Sequence, residues 1–196
     1  MEWKSLLCLI PAAFALLRLV TRRYVFSALT TLACAAIALP AAPWLSAALA
    51  VSAVGDYFMA HKGSNENLYR LGIAGFFLGH ALLIAHAAQM AAPRPLHWIL
   101  GGVLLALYAG YLLLRILPRL PELLKVPATL YTLISVLGFT CALMTGNELY
   151  MLGIGLLLFS DTMIAEHDFV GNRMAGLFIL PTYYLCHILV TLSALL

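Results

Sequence analysis

The chain has 196 residues, 64% of them hydrophobic and only 10% charged, with a net charge of +3 and a mean hydropathy of +0.99. A soluble domain carries about 25% charged residues. So much apolar surface cannot be buried inside so small a globule, which excludes a soluble fold and makes lipid the solvent for much of the chain.

A bilayer core of about 30 Å takes about 20 helical residues. Pro, Gly and charge clusters divide the chain into eight predicted spans: Leu6–Val20, Phe26–Leu39, Trp44–Met59, Leu71–Ala91, Leu96–Leu117, Val126–Thr145, Leu149–Ala165 and Leu177–Leu196. The first is read as a span and not a cleavable signal peptide, because its stronger positive charge (Arg18, Arg22, Arg23) follows the apolar run. Spans two and three are short, and Pro40-Ala41-Ala42-Pro43 predicts a tight turn between them. The fold class expected is an all-α, polytopic membrane helix bundle forming a single domain over residues 1–196. Four cysteines (Cys8, Cys34, Cys141, Cys186) lie in apolar runs without metal or redox spacing and read as small buried hydrophobes.

Arg18, Arg22, Arg23, Lys62, Arg70, Arg115, Arg119, Lys125 and Arg173 belong to the connections after spans one, three, five and seven. The opposite face holds only Lys4 and Arg94. Positive charge accumulates on the cytoplasmic side, so both termini are expected to face away from the cytoplasm, across the inner membrane if the cell is bacterial.

Span three ends Gly55-Asp56-Tyr57-Phe58-Met59-Ala60-His61, and span seven ends Ser160-Asp161-Thr162-Met163-Ile164-Ala165-Glu166-His167. The helices that follow carry Phe76-Phe77-Leu78-Gly79-His80 and Tyr183-Tyr184-Leu185-Cys186-His187. Each half thus reads small residue, Asp, loop, then aromatic-aromatic-Leu-x-His, with Asp-to-His separations of 24 and 26 residues. Four spans per half make such repeats (1–95 and 96–196) parallel, related by an axis along the membrane normal.

Asp56 and Asp161 are the only acidic residues within the predicted spans. An ionised Asp at a membrane helix centre costs about 2.5–3.5 kcal/mol on insertion scales. Both sit about five residues from a helix end, roughly 8 Å deep at 1.5 Å per residue. A structural role is the plain reading; two carboxylates at one depth in opposite halves favour a shared site. His80 and His187 fall near the midplane, where a lone His more commonly bonds another helix than a ligand. Tyr183 and His187 share a helix face, as do Phe76 and His80, so these rings are expected to wall one cavity. Gly72, Gly75 and Gly79 form a packing stripe. His61, His86, His97 and His167 are weaker candidates, Glu66 and Arg70 read as a surface pair, and Glu166-His167-Asp168 reads as a solvated loop. No His-Glu-x-x-His, Cys-x-x-Cys, phosphate loop or Gly-x-Ser-x-Gly elbow is present.

The Gly55-Asp56 pair, the Gly75-Phe76-Phe77-Leu78-Gly79-His80 run, the Ser160-Asp161 pair and the Tyr183-Tyr184 pair, in this order and spacing, resemble the lysoplasmalogenase (YhhN) family over nearly the whole chain. Members often carry Lys-Pro near the start of the second span, where this chain has Ser27-Ala28. The resemblance implies an eight-helix layout and hydrolysis of the vinyl ether of a lysoplasmalogen, giving a fatty aldehyde and a glycerophospho-alcohol. Protonation of the β-carbon leaves an oxocarbenium ion that water captures. One neutral carboxyl must donate while an ionised one stabilises the cation, much as glycosidases divide two carboxyls. Asp56 and Asp161 would share that work, with one proton between them.

In this reading the lysophospholipid's phosphate stays at the interface near Lys62, Arg70 and Arg173, and His80, Tyr183, Tyr184 and His187 line the site. No metal and no organic cofactor is called for; the expected partners are the lysophospholipid and membrane lipids, with no nucleic acid. Two alternatives use the same residues: a zinc hydrolase with His80, His187, Asp56 and Asp161 as ligands, and a small lipid or ion transporter with the carboxylates as a proton relay.

Overall fold

The computed structural model describes residues 3–196, and side chains from Ser5 onward, so the side chain of Lys4 lies outside the described residues. After a short 3-10 segment (Trp3–Cys8), eight helices follow: α1 (Leu9–Thr21), α2 (Tyr24–Ala38), α3 (Pro43–His61), α4 (Glu66–Ala88), α5 (Pro95–Tyr111), α6 (Glu122–Met144), α7 (Glu148–Ala165) and α8 (Gly176–Ser193). Each of the eight expected spans has its helix. Five stretches are long and apolar enough to cross a bilayer: Glu66–Ala88, Pro95–Arg119, Glu122–Met144, Glu148–Val170 and Gly176–Ser193. Ser5–Thr21 and Tyr24–Ala38 are apolar but shorter. The outer surfaces are greasy, with Val20 81% and Leu114 82% exposed, as contact with lipid requires. This is a helical, multi-pass membrane protein.

The helix ends follow from local chemistry. Asn65 caps α4, its Oδ1 accepting from the backbone N–H of Asn67 (2.9 Å) and Leu68 (3.3 Å); Asn147 likewise caps α7 through Tyr150 N–H (3.0 Å). Pro43 and Pro95 open α3 and α5, where a missing N–H costs nothing. The connection between α1 and α2 is only two residues long, and Arg22 takes a left-handed conformation (φ 58°) to make it.

Close packing is set by small residues. The α4 stripe sits directly on α3: a Cβ on Gly75 would lie 2.9 Å from Gly55 Cα, and Cβ atoms on Gly72 and Gly79 would strike Met59 and Ser52 at 2.7 Å. In the other half, a Cβ on Gly153 of α7 would meet Val190 of α8 at 2.6 Å. α3 with α4 and α7 with α8 are the most extensively packed pairs. The same exchange of halves turns α1·α2 into α5·α6, α2·α3 into α6·α7, and α2·α8 into α6·α4, and all of these pairs are in contact. Symmetry is incomplete at the periphery, because α1 touches α8 while α5 buries only Gly101. The largest core cluster, with Leu45, Leu49, Leu83, Tyr150, Ile154, Tyr184 and Val190, lies between α2, α3, α4, α7 and α8. All four cysteines are free; three are buried and Cys141 is half-buried among apolar neighbours.

Two π-helical segments extend the helices, the first inside the expected fifth span and the second past the expected end of the seventh at Ala165. α5 runs on through Leu112–Ile116, and α7 runs on through Glu166–Val170. Glu166-His167-Asp168 is therefore not a solvated loop. Glu166 is 6% exposed, and its carboxylate accepts from Arg115 Nε (2.5 Å) and Nη2 (2.9 Å) and from Tyr111 Oη (2.9 Å). Its cover comes from these partners at the end of the bundle and not from depth. The extension also breaks the expected equality of depth: α3 stops five residues after Asp56, whereas helical structure continues nine residues past Asp161. Glu66 and Arg70 make no ion pair among the described residues.

Candidate active site

Asp56 is positioned by α3, whose Gly55 meets the face of Phe76 on α4 at ring contact (3.0 Å for a built Cβ). Its side chain is turned to α2, where Thr31 Oγ1 donates to Oδ2 at 3.2 Å. Behind that hydroxyl stands His187 of α8, with Nδ1 3.3 Å from Thr31 Oγ1. Asp161 is positioned by α7, whose Ser160 hydroxyl donates to the Ile179 carbonyl of α8 (3.0 Å). Its Oδ2 accepts from Tyr131 Oη of α6 at 2.8 Å and lies 3.7 Å from His80 Nε2 of α4. The small residue before each Asp thus fastens it to the next helix, and a hydroxyl from α2 or α6 orients the carboxylate. Each Asp is reached by the His of the opposite half.

The two carboxylates open into adjoining recesses. Asp161 lines an apolar, aromatic cavity of about 740 Å³ with Tyr69, Tyr108, Tyr131 and Ser135 among its walls. Asp56 lines a recess of about 660 Å³ together with Arg18, Tyr24, Ser27, Lys62, Asp168 and Tyr183. Met59, Phe76 and Ile164 are on the wall of each, so these three side chains separate one from the other. No hydrogen bond joins Asp56 to Asp161; each has its own partners, and a proton shared directly between them is not the arrangement found.

The aromatic expectations are met in part. Phe76 and Tyr183 pack edge to face (6.1 Å between centroids) and both line the Asp56 recess. His187 stacks edge-on to Tyr183 (4.2 Å) and His80 to Tyr131 (5.1 Å), so the histidines stand behind the walls and not in them. Tyr184 is also behind: its hydroxyl donates to Ser27 Oγ at 2.7 Å. Among the expected phosphate ligands, Lys62 is at the Asp56 recess, where it pairs with Asp168 and lies 4.1 Å above the Tyr69 ring. Arg70 lines a separate outer groove between α4 and α6, and Arg173 is exposed beyond the π segment of α7. The four side chains of the zinc alternative fall into two separate pairs; among the described residues no three His, Cys, Asp or Glu gather closely enough to hold a metal ion.

The sequence profile of the YhhN family matches residues 7–194, nearly the entire chain. The chain belongs to the YhhN family. That family includes the lysoplasmalogenases. Comparison with curated proteins and with solved structures finds no match. The position where the resemblance expects a lysine, Ser27, opens onto the Asp56 recess in this YhhN protein, and a different cation, Arg18 of α1, shares that space. Thr31, Tyr131 and Arg18 are the site residues that sequence reading left out.

Proposed function

We propose that this YhhN protein hydrolyses the vinyl ether bond of lysoplasmalogens, releasing a fatty aldehyde and a glycerophospho-alcohol. The observation that carries this reading is the pair of carboxylates, Asp56 buried and Asp161 largely covered, facing adjoining cavities across the Met59–Phe76–Ile164 wall. Carboxyls set on two sides of a bond can divide the work of acid and base, as they do around a glycosidic linkage. A neutral carboxyl gives its proton to the β-carbon of the vinyl ether, and the electron pair of the ether oxygen completes the oxocarbenium ion. The ionised carboxylate stabilises that cation and takes a proton from the water that adds to it. The hemiacetal then collapses: its hydroxyl proton passes to the carboxylate left by the first step, its C–O bond to glycerol breaks, and the glycerol oxygen takes the proton held by the other carboxyl. Thr31 and Tyr131 donate to the two Asp side chains and orient them.

The reading places both termini away from the cytoplasm, with the basic helix ends and the mouth of the Asp56 recess on the cytoplasmic side. Its ligand partners are the lysophospholipid and the surrounding lipid, and the chemistry needs no cofactor. Detergent-purified protein incubated with lysoplasmenyl, lysoacyl and saturated alkyl-ether lipids tests it. Aldehyde release from the vinyl ether alone is expected, since a saturated ether has no carbon to protonate. Comparable release of fatty acid from the lysoacyl lipid would overturn it.

A further inference from the structure

Of the three cations expected at the lipid phosphate, only Lys62 is at the Asp56 recess, and it is already paired. Lys62 is taken up by Asp168 and the Tyr69 ring, while Asp168 also accepts from Tyr69 Oη (2.9 Å) and lies beside His167 Nδ1 (2.9 Å). Arg70 and Arg173 are not at the recess. Arg18 is. It stands one turn before the end of α1, at the basic end of the bundle, with its side chain on the wall of the Asp56 recess. Its Nε is buried and has no hydrogen-bond partner among the described residues. A guanidinium donor withdrawn from water and left unmatched costs free energy that a ligand acceptor recovers. The planar fork suits a phosphate, which accepts two parallel N–H bonds. The carboxylates sharing the recess do not satisfy it: Asp168 is held by Lys62, and Asp56 turns its Oδ2 to Thr31.

We propose that Arg18 is the phosphate-binding residue of this site, holding the phosphodiester of a single-chain lysophospholipid at the mouth of the Asp56 recess. The assignment rests on the lysophospholipid reading above. The glycerol then points inward past Tyr183.

The test separates the residue from the reaction by using ligands that cannot react. Affinities of wild-type protein, Arg18→Gln and Arg18→Lys are measured for a saturated alkyl-ether lysophospholipid, for the matching alkylglycerol without phosphate, and for inorganic phosphate. Arg18→Gln is expected to weaken the phosphate-bearing lipid about 10–100-fold, the worth of a charge-assisted hydrogen bond, with Arg18→Lys intermediate. The alkylglycerol should bind all three proteins within about twofold of one another, and inorganic phosphate should bind wild type far more weakly than the lipid. Equal losses for both lipids, or none for either, would overturn the assignment, as would inorganic phosphate binding as tightly as the lipid. Kd values for unreactive ligands hold whether or not a vinyl ether is cleaved, so failure of the proposed reaction shows separately, as missing aldehyde.

Discussion

His80 Nε2 lies 3.7 Å from Asp161 Oδ2, although the two belong to opposite halves of the chain. The mirror relationship joins Asp56 to His187 through a single hydroxyl, Thr31 Oγ1, at 3.2 and 3.3 Å. Crossed pairing of this kind ties the halves together at the two places where burial of a carboxylate is most costly. It also gives each Asp a polar environment that only the assembled bundle supplies, so the sites and the fold are completed together.

Removing an orienting hydroxyl should therefore weaken turnover without unfolding the protein. Tyr131→Phe deletes the donor to Asp161 and leaves the ring against His80. Hydrogen bonds to charged groups are worth about 1.5–3 kcal/mol, so kcat should fall about 10–100-fold while the melting temperature in detergent holds. Unchanged kcat with a lower melting temperature would assign Tyr131 to packing alone.

Glycine substitutions probe the α3–α4 contact. Gly75→Ala puts a Cβ 2.9 Å from the Gly55 backbone, which has no side chain to swing aside, whereas a Cβ on Gly102 meets nothing within 4 Å. Overpacking costs about 1–3 kcal/mol, so Gly75→Ala should lower the melting temperature and Gly102→Ala should leave it level or raise it. Activity should follow in the first, because Gly55 and Asp56 are adjacent. Equal melting temperatures for the two variants would contradict the close approach.

The Arg115–Glu166 pair should matter more than the exposed Lys125–Glu122 pair. Glu166→Gln takes the charge from a group that is covered and bonded by Arg115 and Tyr111, and thermal unfolding should come earlier. Exposed pairs are worth little, so Glu122→Gln should unfold with wild type. Identical unfolding curves for both variants would place Glu166 among the solvated charges.

Much of this architecture was legible in the chain. Eight apolar runs became eight helices, and Gly72, Gly75 and Gly79 packed as a stripe, because helix length and small-residue spacing are local properties. Asp56 and Asp161 stood out for the same reason: a charge inside an apolar run is costly wherever it sits. Thr31 could not be singled out, since Thr30, Thr129, Thr132, Thr140 and Thr191 all bond a carbonyl of their own helix, as Thr31 does that of Ser27, and only tertiary packing brings Thr31 to a carboxylate as well. Arg18 was read through the charge distribution, which weighs every basic residue alike. Burial of its Nε depends on how α1 lies against its neighbours. The π extension of α7 was hidden because Glu166-His167-Asp168 looks polar, while its charges are neutralised by Arg115 and Lys62, distant in sequence.

Topology offers an independent check. Were all eight helices to cross the bilayer, the chain would return to the side on which it began, and nine basic residues follow the odd-numbered spans. A reporter that is active only in the cytoplasm, fused after Leu196, should be silent in cells, and one placed in the Lys62–Asn65 connection should be active. Reversal of both signals would invert the orientation.

The two aspartates carry the sharpest expectation. Asp56→Asn and Asp161→Asn keep size and some hydrogen bonding, so each should leave folded protein while removing proton exchange and charge. Loss of general acid or base action typically costs about 10²–10⁴-fold, and each single variant should fall in that range for aldehyde release. Because both carboxyls would serve one reaction on one substrate, their effects should not add, and the double variant should be scarcely slower than either single one. Separate recesses sharpen the comparison. If the carboxylates acted in independent sites, one in each cavity, a single substitution would spare the other site, leaving about half of the turnover with only the double variant inactive. A merely structural role would instead lower the melting temperature and cut activity in proportion to the folded fraction. Measured side by side with melting curves, near-complete loss in both single variants at wild-type stability is the outcome expected of one site built from two halves.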